Sequence, residues 1–124
     1  MGALVNDMMT GGTSAGQATA INGLVNTGIS AAGTTIGTAT DLTRSMNYVS
    51  TVASGAGVQL PATMQIGDEV EVYNAGANTL TIYPDQTTVG FNQLSVGTGV
   101  SLPINTAMRF KKYTATRIIA FLSA

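Results

Sequence analysis

The glutamates Glu69 and Glu71 are two acidic side chains whose spacing could support chemistry. Two residues apart on a β-strand, they share one face, with side-chain roots about 7 Å apart. Paired carboxylates of this kind act as acid and base in glycoside hydrolysis, or they bind calcium. The chain has no histidine, and neither a further acidic cluster nor a glycine-rich metal loop accompanies the pair. A solvated strand face is therefore the favoured interpretation.

Four of the five basic residues fall within nine positions, at Arg109, Lys111, Lys112 and Arg117. Arg109 and Lys111 repeat the spacing of the two glutamates with opposite sign, which predicts cross-strand ion pairs. A basic cluster can also bind nucleic acid, but the net charge is -1 and Tyr113 alone is no stacking platform. We expect these charges to protect a sheet edge or to dock an acidic protein surface, without a nucleic-acid partner.

The chain contains no cysteine, which together with the missing histidine removes thiol nucleophiles, disulfides and imidazole bases. Its many serines and threonines have no base nearby and no nucleophile elbow. The glycine-containing stretches at residues 54–57 and 97–99 lie between predicted strands, whereas a phosphate loop joins a strand to a helix. The sequence therefore predicts no enzyme, no catalytic residue, no cofactor and no metal site.

Charged residues make up only 9% of the 124 residues, against about 25% in ordinary soluble domains. A surface built from hydroxyl and amide groups predicts extensive coverage by other subunits. No run of 18 apolar residues and no basic leader is present, so neither a membrane partner nor a signal peptide is expected. The length corresponds to one domain.

Residues 1–40 carry a single charge, Asp7, and are rich in glycine, alanine, threonine and serine. The glycines recur too often for a long helix, and the segment has too few apolar residues for a core of its own. We predict an extended N-terminal arm that partner contacts order. The residues expected to contact the capsid or another subunit are Leu4, Val5, Ile21, Leu24, Val25, Ile29 and Ile36.

A weak internal echo lies within this arm. Residues 13–19, TSAGQAT, and residues 34–40, TTIGTAT, share the pattern T-x-x-G-x-A-T. The biased composition is enough to explain a single echo of this length.

From residue 41 to residue 124 the pattern changes to short alternating apolar segments separated by glycine, asparagine, aspartate and proline. This pattern predicts about seven or eight short strands roughly 9 to 12 residues apart. We expect an all-β domain, a small antiparallel β-sandwich or barrel of jelly-roll type. Met108 and Phe110 should face inward with Lys112 at a rim, where a bulge would fit. Residues 117–122 should form a central strand or one that packs on both faces.

Residues 73–84, YNAGANTLTIYP, read as a hairpin between two of these strands. Asn74, Gly76 and Asn78 would supply turn conformations with positive φ. Pro84 would stop the second strand.

Three sequence elements occur together in this chain: a Gly-Val-x-Leu-Pro strand end at residues 57–61, the hairpin already described with Val72 added at its start (72–84), and a small-residue strand followed by phenylalanine at 100–110. Together they span about residues 31–110, and this run resembles virion proteins of tailed bacteriophages. Residues 87–94, TTVGFNQL, depart from the usual G-x-x-I-N-G of that family. The resemblance implies a capsid decoration (cement) protein, a head fibre or a tail-fibre module, often trimeric.

An arm joined to one β-domain is most similar to a decoration protein. The resemblance therefore implies a structural protein on the outer surface of the virion, a homotrimer that binds the major capsid protein and stabilises the shell through its arm. One alternative is the base of a head fibre, spike or tail fibre. Another is a carbohydrate-binding β-sandwich that recognises a host-surface glycan through Tyr73, Tyr83 or Tyr113.

Overall fold

The computed structural model describes residues 22–123, and every regular element in that range is a β-strand. The all-β class predicted from the sequence is confirmed. The predicted contact residues Leu4, Val5 and Ile21 lie outside the described residues. The strands are β1 (Asn22–Ala31), β2 (Thr40–Asp41), β3 (Arg44–Val52), β4 (Gly57–Gln59), β5 (Glu69–Asn74), β6 (Leu80–Tyr83), β7 (Gly90–Phe91), β8 (Val100–Leu102), β9 (Ala107–Thr114) and β10 (Arg117–Leu122).

The strands form two sheets, and the chain crosses between them after almost every strand. The six-stranded sheet has the order β1-β3-β5-β9-β10-β7, and the four-stranded sheet has the order β2-β4-β6-β8. Up to β8, odd-numbered strands join the larger sheet and even-numbered strands the smaller one. One winding of the chain therefore adds one strand to each sheet.

Because each winding returns in the same direction, β1, β3 and β5 pair in parallel, as do β2, β4 and β6. The result resembles the stacked coils of a solenoid. Among the described strands, the antiparallel pairs are β9 with its neighbours β5 and β10, and β8 with β6; an isolated antiparallel bridge also joins Ala32 to Gly57. The prediction of an antiparallel jelly roll is therefore wrong, because the alternation of apolar residues carries no information about strand direction.

The core lies between the two sheets and follows the predicted alternation of side chains. In β5, Val70 and Val72 are fully buried, and in β9 Phe110 is fully buried and Met108 nearly so. The ring of Phe110 packs against Phe91 of β7 at a centroid distance of 5.1 Å. The inward placement predicted for Met108 and Phe110 is confirmed.

The described part of the predicted arm contributes to this core. Residues 22–31 form β1, which pairs with β3 and includes Leu24. Ile29 is only 5% exposed, whereas Ile36 is half-buried and Val25 lies open to solvent. The division of the chain at residue 40 stays a prediction.

Residues 73–84 form an arch between the sheets, because β5 belongs to the larger sheet and β6 to the smaller. The hairpin prediction is wrong here, since the turn signals of an arch and of a hairpin are the same residue types. Asn74 is fully buried, and its Nδ2 donates to the carbonyl oxygens of Asn78 at 2.9 Å and Leu102 at 3.0 Å. Its Oδ1 accepts a hydrogen bond from the Gly76 amide at 2.9 Å.

The prediction of positive φ at Asn74, Gly76 and Asn78 is wrong, since none of the three has a positive φ. Glycine fits position 76 because there is no space for a side chain. A Cβ at Gly76 would lie 2.6 Å from Cγ2 of Val52. Pro84 follows directly after β6, as predicted.

β10 differs from its predicted placement. Ile118 is fully buried, but Phe121 and Leu122 are about half exposed. The reason is that β7 pairs only with Arg117 and Ile118, so the second half of β10 forms an edge of the sheet.

Candidate functional site

One side of the six-stranded sheet turns away from the core, and we call this side the outer face. Its central row crosses five strands in register, since Val25 pairs with Met46, Met46 with Glu71, Glu71 with Arg109 and Arg109 with Phe121. Directly paired residues project to the same side of a sheet. The other members of the outer face used below are Tyr48, Tyr73, Glu69 and Lys111.

The middle of the outer face carries the charged pairs expected from the sequence. Glu69 pairs in register with Lys111, and Glu71 with Arg109. Oε2 of Glu69 lies 3.3 Å from Nε of Arg109 and 3.9 Å from Nζ of Lys111. The predicted cross-strand charge pairing is confirmed. These side chains are about half exposed, so their attraction is screened and adds little stability.

The β1 and β3 side of the outer face is apolar and exposed. Val25 is 52% exposed, Met46 47% and Tyr48 44%. Tyr48 stacks on Tyr73 of β5 with ring centroids 5.4 Å apart. Contiguous exposed apolar groups beside charges are typical of protein interaction surfaces.

Three shallow depressions join the apolar and charged parts, with volumes of about 350, 250 and 210 Å³. Glu71 lines all three, and Arg109 lines the first two. The third is bordered by Val25, Met46 and Tyr48. Small-molecule sites are usually enclosed pockets, whereas these depressions are open and share lining residues. They are better suited to side chains that protrude from a large partner.

The two glutamates are considered above as an acid and base pair, but a solvated strand face is the favoured interpretation. Glu69 contacts two cations, as a strand-face ion pair does. Within residues 22–123, no group of three or more carboxylate, imidazole or thiol side chains is placed to hold a metal ion. The same part of the chain has no helix that could cross a membrane.

Sequence reasoning missed a buried ion pair between Lys112 and Asp85. Nζ of Lys112 lies 2.7 Å from Oδ2 of Asp85 and donates to the carbonyl oxygen of Met64 at 3.2 Å. The side chain of Asp85 is fully buried and that of Lys112 is 10% exposed. Lys112 therefore tethers β9 to the segments that follow β4 and β6.

One feature of the sequence could have predicted this pair: Lys112 follows Met108 and Phe110 in the alternating, inward-facing positions of β9. The bulge expected nearby is present, since Arg117 pairs with Thr114 while Ile118 pairs with Lys112, leaving Tyr113 out of the ladder. Asp85, by contrast, follows Pro84 in a loop and belongs to no recognisable pattern.

The three tyrosines considered as sugar platforms have different surroundings. The hydroxyl of Tyr83 donates a hydrogen bond to the carbonyl oxygen of Thr34 at 2.7 Å, and its ring packs closely over Gly57. The ring therefore has a structural role and is a poor candidate for stacking on a sugar. Tyr113 is 57% exposed at the bulge, away from the other two. Tyr73 is half-buried under Tyr48, a residue that the sequence did not single out.

Searches against models of protein families, curated proteins and solved structures found no match for this chain. The function therefore rests on the residues and on the geometry of the outer face.

Proposed function

We propose that this chain is a structural virion protein, a capsid decoration (cement) protein that binds the outside of a phage head. The family resemblance of residues 57–61, 72–84 and 100–110 points to the class. The observation that carries the proposal is the outer face, where an exposed apolar row lies beside paired charges.

The size of the outer face favours binding by several copies at once. Five strands span about 19 Å, so the face covers roughly 400 Å², half of what one partner buries in a standard interface. A single copy would bind a shell weakly, whereas a homotrimer with three such faces would gain avidity. The proposed partner is the major capsid protein, and the proposed location is the outer surface of the virion.

The outer face also gives a specific place to the arm. Val25, one of the predicted contact residues, is exposed in its apolar row, while Ile29 is used in the core. We therefore propose that the exposed side of β1 is the part of the arm that contacts the capsid. Stabilisation follows from simple mechanics: contacts that cross capsomer boundaries must be broken before shell subunits separate.

Co-sedimentation with undecorated heads of the virus that carries this chain tests the proposal. Met46→Glu places a charge in the middle of the apolar row, and we expect at least about a tenfold loss of binding. Val96→Glu is the matched control, because Val96 is 50% exposed but lines none of the three depressions. Equal binding by both variants would contradict the role of the outer face.

A fibre or spike base would use the same surface at another place in the virion. An electron-microscopy map of the particle separates the two roles. Density that repeats with the shell symmetry supports decoration, and density at a single vertex or on the tail supports the fibre base.

A glycan-binding module is a second candidate, and the stacked pair Tyr48 and Tyr73 is the observation that favours it. Sugar rings stack on exposed aromatic faces, and Glu71 lies beside the pair as a hydrogen-bond acceptor. Calorimetric titration with host-surface polysaccharide tests this candidate. Binding that Tyr48→Ala abolishes would support it, and no heat of binding would reject it.

A further inference from the structure

The two sheets are open at the end where β1 and β2 lie. β1 is the first strand of the larger sheet and β2 the first of the smaller one, and each has only one neighbour among the described strands. Residues 22–40 include no charged side chain and no proline. Natural proteins protect exposed sheet edges with such residues, so a long unprotected edge calls for an occupant.

The winding next to this end separates paired residues of β1 and β3 by 20 to 22 positions and those of β2 and β4 by 18 positions. Val25 pairs with Met46, and Asn26 with Asn47, so both pairs have the same separation along the chain. The turn that follows each long strand contains a glycine with positive φ, Gly37 at 96° in one winding and its counterpart Gly55 at 78° in the next. Each of these glycines stands three positions before Thr40 or Val58, which pair with each other.

The sequence before β1 repeats the same features at nearly the same length. The triplet Leu-Val-Asn occurs at 4–6 and again at 24–26, and T-x-x-G-x-A-T occurs at 13–19 and again at 34–40. The separation of the second repeat equals that of Val25 and Met46, and the separation of the first is shorter by a single position. In the sequence repeat, Gly16 corresponds to Gly37, whose φ is positive in the structure. Biased composition explains one echo, whereas two in the same order, at separations of 20 and 21 positions, lie within the range by which paired residues of β1 and β3 are offset.

We propose that the open end formed by β1 and β2 is the docking site for residues 1–20 of this chain. The segment is joined to Asn22 through Ile21, so its effective concentration at the β1 edge is far higher than that of any free partner. Val5 would then lie beside Val25 at a separation of 20 positions, the separation that Ile29 and Val49 have where β1 pairs with β3. This docking uses Leu4 and Val5 within the chain and leaves the outer face free for the capsid.

A disulfide trap tests the docking in the full-length chain, which has no cysteine of its own. Residues paired on adjacent parallel strands lie about 4.8 Å apart, within the range that a disulfide bridges. We expect the double variant Val5→Cys, Val25→Cys to form an intrachain disulfide at least about tenfold faster than a mismatched pair. The readouts are intact mass and electrophoretic mobility without reductant.

The mismatched control is Val5→Cys with Phe121→Cys. Phe121 is as exposed as Val25 but lies four strands away, about 19 Å across the sheet. Equal rates for the two pairs would overturn the proposal. Predominantly interchain disulfides in the Val25 pair would also overturn it, because the occupant would then be another copy.

Hydrogen exchange provides a second measurement that needs no cysteine. Val5→Pro removes an amide and disfavours strand pairing, so we expect exchange of the β1 amides to rise at least about tenfold. The amides of β8, an edge strand at the other end of the smaller sheet, should keep their rates. Unchanged β1 exchange would contradict the docking.

Discussion

Lys112 shows how a single side chain can reveal a contact that its own strand does not predict. It occupies the inward-facing row of β9 after Met108 and Phe110, where an unpaired ammonium group would be costly. The structure places Asp85 against it, in a loop far away in sequence. An inward lysine thus predicts a buried acidic partner, but the sequence alone does not say which one.

Loss of this lysine should destabilise the fold strongly. Lys112→Met leaves Asp85 as a buried, unpaired charge, and we expect the free energy of unfolding to fall by about 3–5 kcal/mol. The matched control Lys111→Met removes an exposed cation and should change the free energy of unfolding by less than about 1 kcal/mol. Urea unfolding followed by circular dichroism measures both, and similar losses for the two variants would argue against a buried pair.

Asn74 holds the arch between β5 and β6 through three hydrogen bonds of its side chain. Asn74→Ala leaves buried backbone groups without partners, and we expect a loss of about 3 kcal/mol in unfolding free energy. Asn78→Ala removes one bond, to the carbonyl oxygen of Val52, and should lose about 1 kcal/mol. The ratio of the two losses in urea titrations is the measurement, and an equal effect would contradict the central role of Asn74.

At the scale of elements, β1 is the strand whose role is most open to measurement. Ile29→Ala should lower the unfolding free energy by about 2–4 kcal/mol, because Ile29 is packed in the core between the sheets. Val25→Ala changes an exposed position of the same strand and should alter it by no more than about 0.5 kcal/mol. If Ile29→Ala left stability unchanged, β1 would belong to a separate arm.

The positions of strands were predictable from the sequence, but their directions were not. Val70 and Val72 alternating with Glu69 and Glu71 identify β5 as a strand with one buried face, and the opposite charges of β9 predict its partner. The parallel pairs were missed because residues 53–56 and 75–79 look like hairpin turns while they carry the chain between sheets. The partner with which a strand pairs depends on the path of the whole chain, so local sequence does not determine it.

The outer face was predictable only in part for a related reason. The charged residues are visible in the sequence because their spacing and sign match across two strands. The apolar residues Val25, Met46 and Tyr48 come from β1 and β3, and only the parallel register brings them into one patch with Tyr73. A surface assembled from separate windings leaves no local signal.

At the scale of the whole molecule, the alternating path of the chain couples the two sheets. Up to β8, consecutive strands belong to different sheets. The two sheets therefore cannot separate unless the short segments that connect these strands also lose their structure. We therefore expect unfolding in a single cooperative transition, with coincident urea curves from far-ultraviolet circular dichroism and tyrosine fluorescence. Separate midpoints for the two signals would mean that the sheets unfold independently.

The winding that leads from Val25 to its partner Met46 also constrains how the length of such a chain can change in evolution. An insertion of one full winding adds a strand to both sheets and keeps every later side chain on its face. An insertion of half that length would extend one sheet, leave the other unmatched and reverse the direction of everything that follows. Near β1, tandem duplication of a short coding segment is thus a tolerated form of growth, and small insertions belong in the turns.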